Sequence, residues 1–217
     1  CEGGTDALLC QARCDELGGR VEEAGASLRQ ASEASPVNAK VLVMLGKHYA
    51  ARGEKAEAIA ALEAASKAAD GLIPLDASLL LGSLHARSGN HAVARVRYLD
   101  ACRMMPCCST WLGAGIASYR LGLLHDAEMC LAEANVLDNH RPSVWAHLAL
   151  VSVAAGRWAE AAEALRLAIQ NGVRDAAVLE ELGDAYKAQG QIVEAVRMYK
   201  LATGCGAEPR IYMKLAE

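Results

Sequence analysis

The chain has no phenylalanine and few aromatic residues of any kind, three Trp and six Tyr in 217 residues. A sequence that is nonetheless 53% hydrophobic must build an aliphatic core, and its Ala and Leu content suits helices. Positive charge is not in excess. The formal net charge is −4, so the clustered basic surface that nucleic acid requires is not expected. No apolar run reaches the roughly 18–20 residues that span a bilayer, so membrane insertion is not expected, and no signal-peptide pattern is visible. Gly-rich phosphate loops, a Ser-His-Asp order and metal-binding helix motifs are missing too. The chain therefore reads as non-catalytic and without a cofactor. The six His are dispersed. His85 stands where other repeats place Tyr49 or Tyr186, so packing explains it, and His91, His125 and His140 fall near turns. The Glu180-Glu181 pair reads as a solvated helix face.

Eight cysteines are present: Cys1, Cys10, Cys14, Cys102, Cys107, Cys108, Cys130 and Cys205. A structural zinc site wants two pairs of ligands with about 2–4 residues within each pair, and no such set appears. No metal site is expected. Free thiols acting as small buried hydrophobes in a reducing, cytosolic setting are. Cys1 fits either a fragment boundary or the lipid-modified first residue of a bacterial lipoprotein. Seven further cysteines weigh against the oxidising compartment that the second choice implies.

What the chain does have is a period. Glycine recurs at Gly19, Gly53, Gly89, Gly122, Gly156 and Gly190, at spacings of 34, 36, 33, 34 and 34 residues. With each glycine at position 15 of a 34-residue unit, position 8 reads Ala12, Gly46, Gly82, Gly115, Ala149, Gly183. Position 20 reads Ala24, Ala58, Ala94, Ala127, Ala161, Ala195, and position 27 reads Ala31, Ala65, Ala101, Ala134, Ala168, Ala202. Every one is Gly or Ala. Helices approach to roughly 8–10 Å only where the crossing point is small. Large residues occupy the complementary places, as at position 24: Leu28, Leu62, Tyr98, Leu131, Leu165, Tyr199. Pro36, Pro74, Pro106, Pro142 and Pro209 fall at unit boundaries, where proline suits a first helical turn.

A helix–turn–helix unit of this period resembles the tetratricopeptide repeat. The resemblance implies an all-α, right-handed superhelical solenoid of six helix–turn–helix units plus a C-terminal capping helix. The units run about 5–38, 39–72, 75–108, 108–141, 142–175 and 176–209 within a single array over 1–217, with a capping helix over 209–217. Asp70-Gly71-Leu72-Ile73-Pro74 reads as a longer loop between units two and three, and Ile211, Tyr212 and Leu215 as the apolar face of the cap.

In this repeat type the first helices line the concave surface, with positions 2, 5, 9, 12 and 13 inward. Those positions give an apolar strip of Leu79, Leu112, Ile116, Tyr119, Leu150 and Val153, edged by Arg87 and Arg120. An exposed strip of this kind marks an interaction site, unless another segment of the parent chain fills it. The partner it suits is a protein, presenting an amphipathic helix or an extended apolar segment. Domains that hold the carboxylate-terminal tails of chaperones carry basic residues at position 5 and Asn at position 9. Neither is present, which weakens an adaptor of that type.

Between Pro106 and Arg157 the sequence is more individual. Trp111-Leu112-Gly113-Ala114-Gly115-Ile116-Ala117-Ser118-Tyr119-Arg120-Leu121 leads to Ala127-Glu128 and Leu131-Ala132-Glu133-Ala134-Asn135. Val144-Trp145-Ala146-His147-Leu148-Ala149-Leu150-Val151 follows, closing at Gly156-Arg157. This stretch resembles the C-terminal tetratricopeptide region of the cilia- and flagella-associated protein 70 family, although Ser118 stands where that pattern would place Cys. The resemblance implies a docking array in a larger component of the motile axoneme, in the cytoplasm of a cilium or flagellum, with an axonemal partner. A lipid-anchored bacterial assembly factor and a chaperone-type adaptor are the alternatives.

Overall fold

The computed structural model of the chain describes residues 2–70, 73–206 and 214. Among the described residues there are twelve α-helices and no strand. They fall into two compact units, Cys1–Ala101 and Cys102–Glu217.

The first unit contains α1 (Glu2–Leu17), α2 (Val21–Ala34), α3 (Ala39–Arg52), α4 (Lys55–Ala68), α5 (Leu75–Arg87) and all but the last turn of α6 (His91–Met104). The second contains α7 (Cys108–Arg120), α8 (Leu124–Leu137), α9 (Pro142–Ala154), α10 (Trp158–Gln170), α11 (Ala176–Ala188) and α12 (Ile192–Gly204). α1 packs on α2, α3 on α4, α7 on α8, α9 on α10 and α11 on α12, and weaker contacts join α2 to α3 and α4 to α5 in the first unit and α8 to α9 and α9 to α11 in the second.

The periodic glycines explain where each first helix stops. All six have φ between 73° and 81°, a region that costs glycine little and other residues more. At Gly53, the turn lets Glu54 N–H bond Tyr49 O across six residues at 3.0 Å, the Schellman closure of a helix end. The same bond recurs from Leu123 to Ser118 at 3.0 Å and from Gln191 to Tyr186 at 2.9 Å. Helix starts are set by other means. Asn38 accepts from the amides of Lys40 and Val41, Asp175 accepts from those of Ala177 and Val178, and Pro142 opens α9, each meeting a donor or position that the first turn leaves unfilled.

The small-to-large pairing is physical contact. A Cβ added at Gly46 would stand 2.9 Å from Leu62 Cδ2, at Gly82 2.8 Å from the Tyr98 ring, and at Gly115 2.8 Å from Leu131 Cγ. Each glycine at position 8 is therefore the socket for position 24 of its own repeat. Every residue at positions 20, 24 and 27 is buried, Tyr98 being the most exposed at 8%.

Two expected features lie partly outside the described residues. Gly71 and Leu72 of the long loop do, but Ile73 closes that loop by burying itself against Leu42, Leu62 and Leu81. Ile211, Tyr212 and Leu215 of the expected cap do as well, while Lys214 is described as helical.

His147 is buried on α9, where its Nδ1 meets Ser143 O at 2.7 Å. Burial lowers its pKa below the ordinary value, against an upward pull from the Ser143 carbonyl. The folded value lies below the unfolded one, so the unfolded chain takes up the proton first as pH falls. The stability this ring contributes is complete above about pH 6.5 and is lost as pH falls through the folded value. Melting temperature is therefore expected to drop between pH 7 and pH 5, and to drop less in His147→Asn, which keeps a neutral donor. Parallel slopes in thermal melts of the two chains would contradict this.

Candidate protein-binding surface

The inward stripe of the second unit is carried by α7, α9 and α11. It does not hold all the residues that the repeat positions point to. Leu150 and Val153 have no exposed surface and Leu112 only 8%. Leu150 and Val153 pack with Leu182 and Tyr186 of α11, and Leu112 packs with Leu131 and Val144. Direct partner contact by these three residues is corrected by the structure: the fold itself buries inward positions wherever the next repeat's first helix lies against them. Ile116 and Tyr119 remain part-exposed on α7 beside exposed Arg120. Leu79, half-buried, and Arg87, exposed, lie on α5 of the first unit.

Charge on this face differs from the sequence reading. Arg120 is not a free positive rim. Its guanidinium grips Glu181 with both nitrogens, Nη2 to Oε2 at 2.6 Å, and lies 5.9 Å from the centre of the Tyr119 ring. Burial raises the Glu181 pKa above the ordinary carboxylate value, while Arg120 pulls it down. Glu180, expected to be solvated, is buried to 7% and takes a hydrogen bond from Lys214 Nζ at 2.8 Å. Lys214 also reaches Asp184 at 2.6 Å, and Asp184 accepts from Tyr199 Oη at 2.7 Å. Part-exposed ion pairs of this sort contribute about 0–1 kcal/mol each. They shape the face more than they stabilise it. The available signal was position: three acids at 5, 6 and 9 of the last unit stand where no earlier unit carries an acid.

In the first unit the corresponding face is polar. Lys47 of α3 pairs with Asp76 of α5, and Arg13, Glu16, Met44 and Lys47 line a shallow depression.

The seven described cysteines are free thiols. Cys102, Cys108 and Cys130 are buried, as small hydrophobes would be, but Cys10 and Cys14 are exposed. Those two occupy positions 6 and 10 of the first helix. In later repeats position 10 faces the preceding pair and holds buried His48, Leu84 and Val151. Among the described residues, no group of three or more His, Cys, Asp or Glu side chains is placed to hold a metal ion. No described helix is long and apolar enough to cross a membrane.

Helical hairpins of this period, each closed by a left-handed glycine and packed on its neighbours, define a tetratricopeptide repeat protein. Solved structures share the fold. A tetratricopeptide repeat protein from Parabacteroides merdae matches with a TM-score of 0.77 at 18% identity, covering 95% of this chain and 81% of that one. PilW, a type IV pilus biogenesis factor, matches with a TM-score of 0.71 at 18% identity over 97% and 98%. At such identities the likeness is one of fold alone. The chain belongs to the family of cilia and flagella-associated protein 70 C-terminal domains, whose profile matches residues 5–217. The human protein of that name is 38% identical over 161 residues, 71% of this chain. The Macaca fascicularis protein is 43% identical over 104 residues, 48% of this chain. The aligned part of the chain spans only 14% and 10% of those relatives' lengths.

Proposed function

We propose that the chain is a non-catalytic docking array in a cilium- or flagellum-associated protein, working in the cytoplasm on the axoneme. The near-constant period supports treating its six repeats as one array, and the names of its relatives support the ciliary setting. The observation that carries the docking role is the pair Ile116 and Tyr119. They stay part-exposed on α7, whereas Leu112, Leu150 and Val153 of the same stripe are sealed into the core. The partner is an amphipathic helix or apolar segment of an axonemal component, with Leu79 and Arg87 serving as contacts in the first unit. Covering such side chains is favourable by about 25 cal/mol per Å² of apolar surface, and ordering the partner offsets part of the gain.

Replacing Ile116 and Tyr119 together with Asp is expected to abolish partner recovery from ciliary extracts while helicity by circular dichroism is unchanged. Leu150 is unsuitable for this test, because a charge at a fully buried site would unfold the repeat. Equal recovery by the parent and double variant would mean that other surfaces carry recognition.

A further inference from the structure

Ion pairs between one repeat and the next run one way. Glu22 of α2 meets Arg52, at the end of α3, at 2.7 Å. Glu63 of α4 lies 3.2 Å from His85 of α5 and 4.0 Å from Arg97 of α6. Glu128 of α8 meets Arg157, just before α10, at 2.8 Å. In each case the second helix of a repeat supplies the acid and the following repeat supplies the base. The three acids stand at positions 18, 25 and 21 of their repeats.

The last described helix breaks this pattern. In α12, positions 18, 25 and 21 hold Val193, Lys200 and Val196, and Arg197 follows at position 22. With Leu201 they line one shallow depression of about 420 Å³. Val193 is 78% exposed. Among the described residues, neither the Arg197 nor the Lys200 side chain is held in an ion pair or a hydrogen bond. The position-25 cation of α10, Arg166, is by contrast occupied by Glu163 of its own helix at 2.6 Å. The junction face of α12 is therefore apolar and positive, where the others named are acidic.

Charge decides what can cover such a face. A second copy stacked on it would bring the first repeat's Arg20, and the buried Asp15 beside it already holds that arginine at 2.6 Å. The chain's own residues 207–217 carry as many cations as acids, Arg210 and Lys214 against Glu208 and Glu217, and Lys214 is drawn to Glu180 and Asp184 of α11.

From this inversion we propose that the outer face of α12 is a second docking surface, and that its occupant is an acidic amphipathic helix of another protein. Its apolar side chains pack on Val193 and Val196, and its carboxylates meet Arg197 and Lys200. It takes the place of a following repeat with the charges exchanged.

The probes are two synthetic peptides of about 20 residues. They share a Leu stripe at i, i+3, i+4 and i+7 and differ only in carrying Glu or Lys beside it. Each is titrated into the full chain at low salt and followed by fluorescence anisotropy. The Glu peptide is expected to bind at least about tenfold more tightly than the Lys peptide. Arg197→Glu with Lys200→Glu is expected to reverse that preference. Ile116→Asp with Tyr119→Asp is expected to leave it unchanged, which separates this surface from that of α7. A photoreactive side chain at position 193 is expected to capture the Glu peptide. Equal affinity for the two peptides, a preference that charge reversal does not reverse, or one lost only in the α7 variant would overturn the proposal. Tighter binding by Glu208→Gln with Glu217→Gln would also overturn it, by showing that the chain's own acids cover the face. So would self-association that the charge reversal abolishes, which would make a second copy the occupant. Should the charge-reversed chain fail to fold, Arg197→Gln with Lys200→Gln decides, and is expected to abolish the preference.

Discussion

Gly183→Leu is expected to melt well below the parent. Gly183 lies buried in α11 against Tyr199 of α12, and a Cβ there would stand 2.6 Å from Tyr199 Cδ1. The ring has nowhere to go. It is 1% exposed, packed among Leu182, Met198 and Ala202, and tied to Asp184 through its hydroxyl at 2.7 Å. Overpacking of this kind costs about 1–3 kcal/mol or more, and leucine adds three carbons beyond the Cβ that already clashes. For a chain of this size each kcal/mol lowers the midpoint by roughly 2–4 °C. Thermal unfolding followed by circular dichroism checks this. A midpoint equal to the parent's would mean that α11 and α12 are not in the register described.

Leu131→Ala is the complementary case, a knob removed instead of a socket filled. Leu131 has no exposed surface and fills the space over Gly115. Truncation at such sites costs about 2–5 kcal/mol, the spread depending on how far the cavity collapses. Here the glycine opposite offers no side chain to move in, so a value toward the upper end is expected. The pair also makes a double-mutant cycle. Gly115→Ala alone drives a methyl to 2.8 Å from Leu131 Cγ, whereas in the Leu131→Ala background the same methyl enters the vacated space. The two changes together should destabilise less than their separate effects added, by more than the roughly 0.3–0.5 kcal/mol within which distant sites add. Denaturant midpoints of the four chains measure this, and strict additivity would contradict the contact.

These contacts were legible in sequence because they depend on residue size alone. A glycine at position 8 facing a leucine or tyrosine at position 24 is a local pairing within one repeat, repeated along the chain. Gly53 and its equivalents were legible for the same reason, since a left-handed helix end favours one residue. The binding surface was less legible because it depends on neighbours. Leu150 and Ile116 share position 9, yet Leu150 is sealed under α11 while Ile116 stays part-exposed. That difference is set by how the following first helix lies, which no single repeat encodes. The charge pairing was missed on similar grounds. Arg120 and Glu181 are 61 residues apart, and only the packing of α7, α9 and α11 brings them together. Cys10 and Cys14 share residue type with buried Cys130 but are exposed on α1, a difference that residue type does not encode.

In the proposed docking role the α7 face of the second unit receives the partner. A photoreactive side chain placed at Ile116 in one chain, and at exposed Glu133 of α8 in another, tests it most directly. Both chains are to be irradiated in axonemal preparations, and the adducts mapped. The expected result is a discrete protein adduct from position 116, lost when Tyr119 is also replaced by Asp, and none from position 133. Adducts from position 133 with none from position 116 would place recognition on the second-helix side and contradict the claim.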